Sequence, residues 1–214
     1  MIIYAERYDN MRSSEFINAM RSLRLGVFTS ADAMKVLGSS RLYANLFLHR
    51  LASRNQIKHI GRGLYAVEGA GRLEIAYSLA PNGYISGLAA LFYYGLINQD
   101  PLEIDVVNTK RSLNRQVMYE HSRINVKIVK MSKRLFFGYK KDIGNVGYFL
   151  IAEPEKAILD TLYLYKGKFA SYCKDALDNG EGSINRKKLI EYAQRAGNGA
   201  LLRMLAKTGV EQNA

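Results

Sequence analysis

With 214 residues, the chain is long enough for one large domain or two small ones, and we expect two. Its formal net charge of +12 favours a polyanionic partner, and its single cysteine, Cys173, excludes an intramolecular disulfide and favours a reducing, cytoplasmic location. No apolar run approaches the roughly 18–20 residues that span a bilayer, and the three histidines lack zinc-site spacing, so we expect neither a membrane segment nor a metal.

The first predicted helix covers residues 12–24. Ser13 or Ser14 is placed to accept the free backbone amides of its first turn, and Gly26 ends it. Three apolar side chains recur at helical intervals, which predicts one buried face: Phe16, Met20 and Leu23.

A short helix and a longer helix follow, separated by a glycine turn. Thr29 or Ser30 caps the short helix, and Gly38 supplies a turn with positive φ. The longer helix covers residues 41–53. Its inner stripe has the spacing of one helical face and consists of Ala44, Phe47, Leu48 and Leu51.

Two strands, at residues 56–60 and 64–67, flank the sequence Gly61-Arg62-Gly63. Their alternating apolar and polar residues predict a β-hairpin with a glycine-rich tip. Helix, turn, helix and hairpin in this order are typical of a winged helix-turn-helix. The sequence of residues 29–67 therefore makes binding to double-stranded DNA the leading hypothesis.

The N-terminal part of the second helix of such a motif meets base edges in the major groove. Arg41, Tyr43 and Asn45 are thus candidates for base contacts, while Arg50 and Arg54 are placed for phosphate contacts. The complete predicted DNA-binding set is Ser39, Ser40, Arg41, Tyr43, Asn45, Arg50, Arg54, Lys58 and Arg62.

Two leucines of the same helix, Leu42 and Leu46, fit neither role. Two alternatives stay open for them: they pack on another element, or they touch the methyl groups of thymines.

The charge of this region supports a phosphate partner. Residues 21–63 hold one acid, Asp32, and eight basic side chains: Arg21, Arg24, Lys35, Arg41, Arg50, Arg54, Lys58 and Arg62. Neutralising phosphates releases condensed counterions, so binding is expected to weaken steeply with added salt. The alternative is that these are the solvated faces of a generally basic protein.

The second predicted domain covers residues 71–214, and residues 1–70 form the first. We expect helices at residues 72–80 and 86–95, strands at 102–107, 124–129, 136–140 and 147–151, a helix opened by Pro154, and final helices near 185–196 and 199–207. The predicted fold class is therefore α+β, with a winged helix-turn-helix followed by a domain with a small mixed or antiparallel sheet and several helices.

A second basic surface is predicted at Lys127, Lys130, Lys133 and Arg134, within a run of ten basic residues and one acid at 110–141. It is a candidate for contact with DNA, with another nucleic acid or with an acidic partner. Loops between strands are also often basic without any partner.

Glu103 and Asp105 are two positions apart on a strand, so their carboxylates share a face. Nucleotidyltransferases hold metal ions with such pairs, which gives an enzymatic alternative. However, the chain has no glycine-rich phosphate loop, no GxSxG elbow and no third carboxylate nearby, so we predict no catalytic residues and no cofactor. An adaptor that binds a protein partner through the second domain is a further alternative.

Three segments together resemble the AbiEi family, the antitoxins of AbiE abortive-infection toxin-antitoxin systems. They are Gly61-Arg62-Gly63-Leu64-Tyr65, Tyr84-Ile85-Ser86-Gly87-Leu88-Ala89-Ala90-Leu91 and Glu153-Pro154-Glu155-Lys156-Ala157-Ile158-Leu159-Asp160. One departure is Gly87, where the family commonly has a bulky polar residue.

The resemblance implies a cytoplasmic, DNA-binding antitoxin that represses its own operon in a phage-defence system. It also implies a C-terminal domain that opposes a co-encoded nucleotidyltransferase-like toxin without a stable complex. The DNA target it implies is a promoter with inverted repeats, bound by two protein copies or cooperatively.

Overall fold

A computed structural model of the chain describes residues 11–180 and 182–210. It has the predicted α+β class, because helices and a hairpin come first and a mixed sheet with several helices follows. Contacts group the described residues into two compact units. Unit 1 runs up to Leu79 and includes Val117–Arg123 and Ile143–Phe149, whereas unit 2 holds the other described residues.

Unit 1 contains a helix-turn-helix followed by a hairpin. Its elements are α1 (Ser13–Ser22), β1 (Val27–Thr29), α2 (Ser30–Leu37), α3 (Arg41–Ser53), β2 (Ile57–Gly61), β3 (Leu64–Val67) and α4 (Arg72–Ser78). The strands form an antiparallel sheet in the order β1-β3-β2. The sequence prediction missed β1, which has only three residues and pairs with β3.

The start and end of α2 follow the prediction. The side chain of Thr29 accepts from the amide of Asp32 at 3.2 Å, and Asp32 Oδ2 accepts from the amide of Thr29 at 2.8 Å. These two bonds satisfy two backbone donors at the free end of the helix. Gly38 ends the helix at φ 57, a left-handed conformation that glycine adopts without strain.

Helix α3 has the predicted bounds. Ser40 Oγ accepts from the amide of Tyr43 at 3.3 Å and thereby caps the first turn. Ala44, Leu48 and Leu51 are at most 1% exposed, so the predicted inner stripe faces the core of unit 1. That core consists of Phe16, Met20, Phe28, Ala33, Leu37, Ala44, Leu48, Leu51, Ile57, Val67 and Val146.

Helix α1 differs from the prediction at both ends. Its first amides are not capped by Ser13 or Ser14; instead, Glu15 Oε2 accepts from the amide of Arg12 at 3.0 Å. The helix stops at Ser22, because Arg24 adopts a left-handed φ of 57. Leu23 is consequently 56% exposed, so its predicted place in the buried face is wrong.

Helix α4 belongs to unit 1, where Glu74 is only 3% exposed. Its carboxylate accepts from the amide of Val146 at 3.0 Å and also from the amides of Gly71 and Gly147. A buried carboxylate therefore binds residues 146–147 to the start of α4. The domain boundary between residues 70 and 71 stays a prediction.

Unit 2 is built on a six-stranded mixed sheet of order β6-β7-β5-β4-β9-β8. Its elements are β4 (Tyr84–Ser86), α5 (Gly87–Tyr93), β5 (Glu103–Asn108), β6 (Leu113–Tyr119), β7 (Ser122–Lys130), β8 (Tyr139–Ile143), β9 (Tyr148–Ala152), α6 (Pro154–Leu164), α7 (Ala170–Asn179), α8 (Arg186–Ala196) and α9 (Gly199–Ala206). β4 is antiparallel to β5 and parallel to β9, and β5 is parallel to β7. The turns of β6–β7 and β8–β9 are assigned to unit 1.

Several elements of unit 2 were not predicted. The strand expected at residues 136–140 begins three residues later, since Lys133–Leu135 forms a 3-10 helix that precedes it. The prediction also missed β4, β6 and α7. β4 is only three residues long, and most of β6 is exposed and polar, so neither carries a clear apolar pattern.

Pro154 is the first residue of α6, as predicted. Cys173 is fully buried, and burial raises the pKa of its thiol to about 12. No helix among the described residues combines the length and apolar character that a bilayer span requires.

Candidate nucleic-acid interface

The outward face of α3 lies opposite its buried stripe. Ala44, Leu48 and Leu51 mark the inward side, and the helical repeat places the exposed residues around the other side. These exposed residues are Arg41, Leu42, Asn45, Leu46, His49, Arg50 and Ser53. The helix expected to enter the major groove is thus accessible over the first two of its turns.

The three predicted base-contacting residues are not equivalent. Arg41 and Asn45 are exposed at the start of α3. Tyr43 is half-buried, packs against the core of unit 1 and stacks on Phe47 with ring centroids 6.2 Å apart. Its position favours a packing role. The helical repeat carries this signal, since Tyr43 lies one turn before Phe47.

The remaining basic residues of the predicted DNA-binding set divide in a similar way. Arg50, Arg54 and Arg62 are exposed. Lys58 is half-buried, and its ammonium donates to Asn55 Oδ1 at 3.4 Å. Lys58 is therefore held along the hairpin, whereas the three arginines extend into solvent.

The two serines before α3 act on the helix itself. Ser40 is exposed and caps α3, while Ser39 is half-buried and its hydroxyl donates to the carbonyl of Ser40 at 3.4 Å. Because the capping bond uses only an acceptor lone pair of the Ser40 hydroxyl, its O–H stays able to donate to a phosphate oxygen.

The hairpin tip is anchored to the start of α2. Gly63 has φ 65, and its carbonyl accepts from the amide of Ser30 at 3.2 Å. A register irregularity between His59 and Gly61 shapes the same turn. Arg62 is exposed at this tip.

The exposure of Leu42 and Leu46 settles one of the alternatives left open by the sequence. Leu42 is 71% exposed and Leu46 is 51% exposed, so neither is buried against another described element. They lie near the centre of the outward face of α3. This placement follows from their offset of half a turn from Ala44 and Leu48.

The four residues of the second basic surface differ in their exposure and in their contacts within unit 2. Lys130, Lys133 and Arg134 are exposed, and the Arg134 guanidinium lies against Gly197 at the C-terminal end of α8. Lys127 is half-buried, with its ammonium 4.4 Å from the centroid of the Tyr165 ring. Lys127 thus differs from the other three in being engaged within the fold.

The two carboxylates of the enzymatic alternative lie in different surroundings. Glu103 is half-buried and lines a cavity of about 290 Å³ whose walls are mainly apolar and aromatic. Asp105 is 1% exposed, and Tyr165 Oη donates to its Oδ2 at 2.7 Å. Among the described residues, no group of three or more histidines, cysteines and carboxylates is arranged to hold a metal ion.

Burial sets the chemistry of Asp105. Desolvation raises its pKa to about 6, and the Tyr165 hydrogen bond and nearby Lys127 only partly oppose this. Gly87, at φ 65, lies so close that an added Cβ would overlap Asp105 Oδ2. The glycine that departs from the family pattern therefore makes room for the buried carboxyl group.

Asp105→Asn should remove a pH-dependent part of the stability. The folded pKa of about 6 exceeds the ordinary aspartate value of 3.8, so the group's stabilising contribution is fully present below about pH 4 and is lost as the pH rises to about 6. The expected loss in the wild type is on the order of 2–3 kcal/mol. Urea unfolding between pH 4 and 7 measures it.

The exposed Asp178 provides a matched control, because Asp178→Asn changes the same functional group without a buried site. Asp178→Asn is expected to keep the wild-type pH profile. If Asp105→Asn keeps the profile as well, burial does not control the titration of Asp105.

Two segments that carry the family resemblance meet in one buried network of unit 2. Tyr84 Oη and Ser86 Oγ donate to Asp160 Oδ2 at 3.0 and 2.8 Å. The Lys156 ammonium donates to Asp160 Oδ1, and both charged residues are 2% exposed. Ser86 directly precedes α5, but its hydroxyl is directed to Asp160 and makes no capping bond.

The comparison with known families bears on unit 1. Residues 15–67, about a quarter of the chain, match the family model described as "Transcriptional regulator, AbiEi antitoxin". The match confirms the predicted family resemblance over the helix-turn-helix and the hairpin. The matched family is described as one of transcriptional regulators that are antitoxins. No curated protein matches the chain.

Proposed function

We propose that this chain, whose residues 15–67 match AbiEi antitoxin regulators, is a cytoplasmic DNA-binding antitoxin that represses its own operon. The observation that carries the proposal is the accessible outward face of α3, which begins at a capped N-terminus and displays Arg41 and Asn45. An arginine and an asparagine can each form two hydrogen bonds with a purine edge.

The first turns of α3 enter the major groove in this proposal, with Arg41 and Asn45 directed to base edges. Arg50 and Arg54 contact the phosphates. The hairpin acts as the wing, and Arg62 at its tip approaches the DNA backbone or the minor groove. Ser39, Ser40 and Lys58 border this surface, and the local packing of Tyr43 supports the helix from within.

The antitoxin activity is assigned to the second domain, on the resemblance of its two motifs. Its functional partner in the proposal is a co-encoded nucleotidyltransferase-like toxin, opposed without a stable complex. Inverted repeats in a promoter match a two-fold arrangement of two bound copies. Three exposed residues of the second basic surface lengthen the contact with DNA: Lys130, Lys133 and Arg134. The half-buried Lys127 contributes only the electrostatic attraction of its positive charge.

We propose no catalytic role for Glu103 and Asp105. Tyr165 occupies one oxygen of Asp105, and the 1% exposure of this residue leaves little access for a metal ion and a substrate. Magnesium-dependent nucleotide transfer that is abolished by Asp105→Ala would overturn this assignment.

Arg41→Ala or Asn45→Ala should weaken binding to the promoter by about 1–3 kcal/mol and relax the base preference, because a bidentate base contact is lost. Arg62→Ala should instead weaken promoter DNA and random DNA by similar factors, since a phosphate contact carries no sequence information. Binding of the full chain to both duplexes at fixed salt measures the difference.

Glu15→Gln serves as the control, because Glu15 is exposed at the start of α1 and is not part of the proposed interface. Its binding is expected to match the wild type. Equal losses on promoter and random DNA for Arg41→Ala would contradict a base-reading role.

A further inference from the structure

Two leucines occupy the centre of the outward face of α3. Leu42 and Leu46 are four residues apart, so their side chains are neighbours on the helix surface. Single exposed leucines are ordinary, but this pair lies on the first two turns of the helix that is proposed to read DNA. An apolar pair in that position needs an apolar partner.

The charges around the pair indicate what that partner is. Arg41 and Arg50 are exposed on either side, and residues 21–63 contain a single acid, Asp32. A second copy of the chain packed on this face would bring like charges together, which is unfavourable. A polyanion satisfies the same arginines.

DNA provides one apolar group on its base edges in the major groove, the C5 methyl group of thymine. We infer that Leu42 and Leu46 bind thymine C5 methyl groups and thereby select thymine-containing sites. The inference rests on the proposed DNA-binding function. It adds an apolar element to the base reading by Arg41 and Asn45.

The test removes the methyl group without changing any hydrogen bond. Footprinting of the full chain on the DNA upstream of its own gene locates the bound segment. Each thymine of that segment is then replaced, one at a time, by deoxyuridine. Wild-type affinity should fall about fourfold at each thymine under α3, the factor expected for burial of one methyl-sized group, and stay unchanged elsewhere.

Leu42→Ala and Leu46→Ala identify which side chain makes each contact. Alanine is the better helix former and both sites are exposed, so the variants should keep the fold. Each variant should bind the thymine duplex more weakly and should no longer distinguish thymine from deoxyuridine at its own position. Leu23→Ala, an equally apolar change at a 56% exposed site on the end of α1, should keep the full discrimination.

The outcomes separate this inference from the proposed function. A footprint with equal binding of thymine and deoxyuridine duplexes overturns the leucine contacts but leaves DNA binding intact. If the full chain leaves no footprint on any DNA, the proposed function itself is wrong. If Leu42→Ala and Leu46→Ala bind DNA as the wild type does but dissociate a dimer in sedimentation, the face binds a second copy and the inference is wrong.

Discussion

Lys156→Met should lower the free energy of unfolding by about 3–5 kcal/mol, because it leaves the Asp160 carboxylate buried without its cationic partner. Both residues are 2% exposed, and the Lys156 ammonium contacts Asp160 Oδ1. Tyr84 and Ser86 donate to the other oxygen and cannot replace a positive charge. Chemical denaturation followed by circular dichroism measures the loss.

The double variant Lys156→Met/Asp160→Leu should recover most of that stability. Removing both charges of a buried pair is often neutral or stabilising, whereas removing one leaves an uncompensated charge. Lys140→Met provides the control, since Lys140 is half-exposed and lies 3.6 Å from Asp142. That surface pair is expected to contribute less than about 1 kcal/mol. Similar losses for Lys140→Met and Lys156→Met would contradict the buried-pair argument.

Glu74→Ala should destabilise unit 1 by about 3–5 kcal/mol, because it deprives three backbone amides of a buried charged acceptor. The amide of Val146 lies 3.0 Å from Glu74 Oε1, and Gly71 and Gly147 also donate to this carboxylate. The 3% exposure of Glu74 leaves little solvent to replace it. Chemical denaturation measures the loss in the free energy of unfolding. Hydrogen exchange at the amides of Val146 and Gly147 measures the local loss of protection.

Glu74→Gln refines the same test. Its remaining oxygen can serve Val146 and Gly147, but its NH₂ group faces the donor of Gly71, so a smaller loss of about 1–3 kcal/mol is expected. Glu15→Gln, the matched change at the exposed start of α1, should cost less than about 1 kcal/mol. Unchanged exchange protection of Val146 in Glu74→Ala would show that the carboxylate does not anchor this segment.

The parts of unit 1 that were predicted correctly are all determined by residues close together in the sequence. Helix α3 has the bounds expected from its apolar spacing, and Gly38 has the positive φ expected of a helix-ending glycine. The hairpin follows from two alternating segments around Gly61 and Gly63. Each of these features depends on residues within a few positions of one another, so the local pattern was sufficient.

The candidate interface was predicted only in part, because exposure depends on what packs from elsewhere. Arg41 and Asn45 were identified from their place at the start of a helix. The packing of Tyr43 on Phe47 and the exposure of Leu42 required the position of the core. A helical-wheel comparison with Ala44 would have indicated both, since it separates inward from outward positions.

The sequence by itself determined the α+β class, the helix-turn-helix with its hairpin, the basic character of the region and the family resemblance. Only the tertiary structure decided that Glu74 holds the backbone near residue 146 and that Tyr84 and Ser86 meet Asp160. Helix periodicity and capping act over a few residues along the chain. Buried polar groups, in contrast, are satisfied by partners some seventy positions away, which no local pattern can identify.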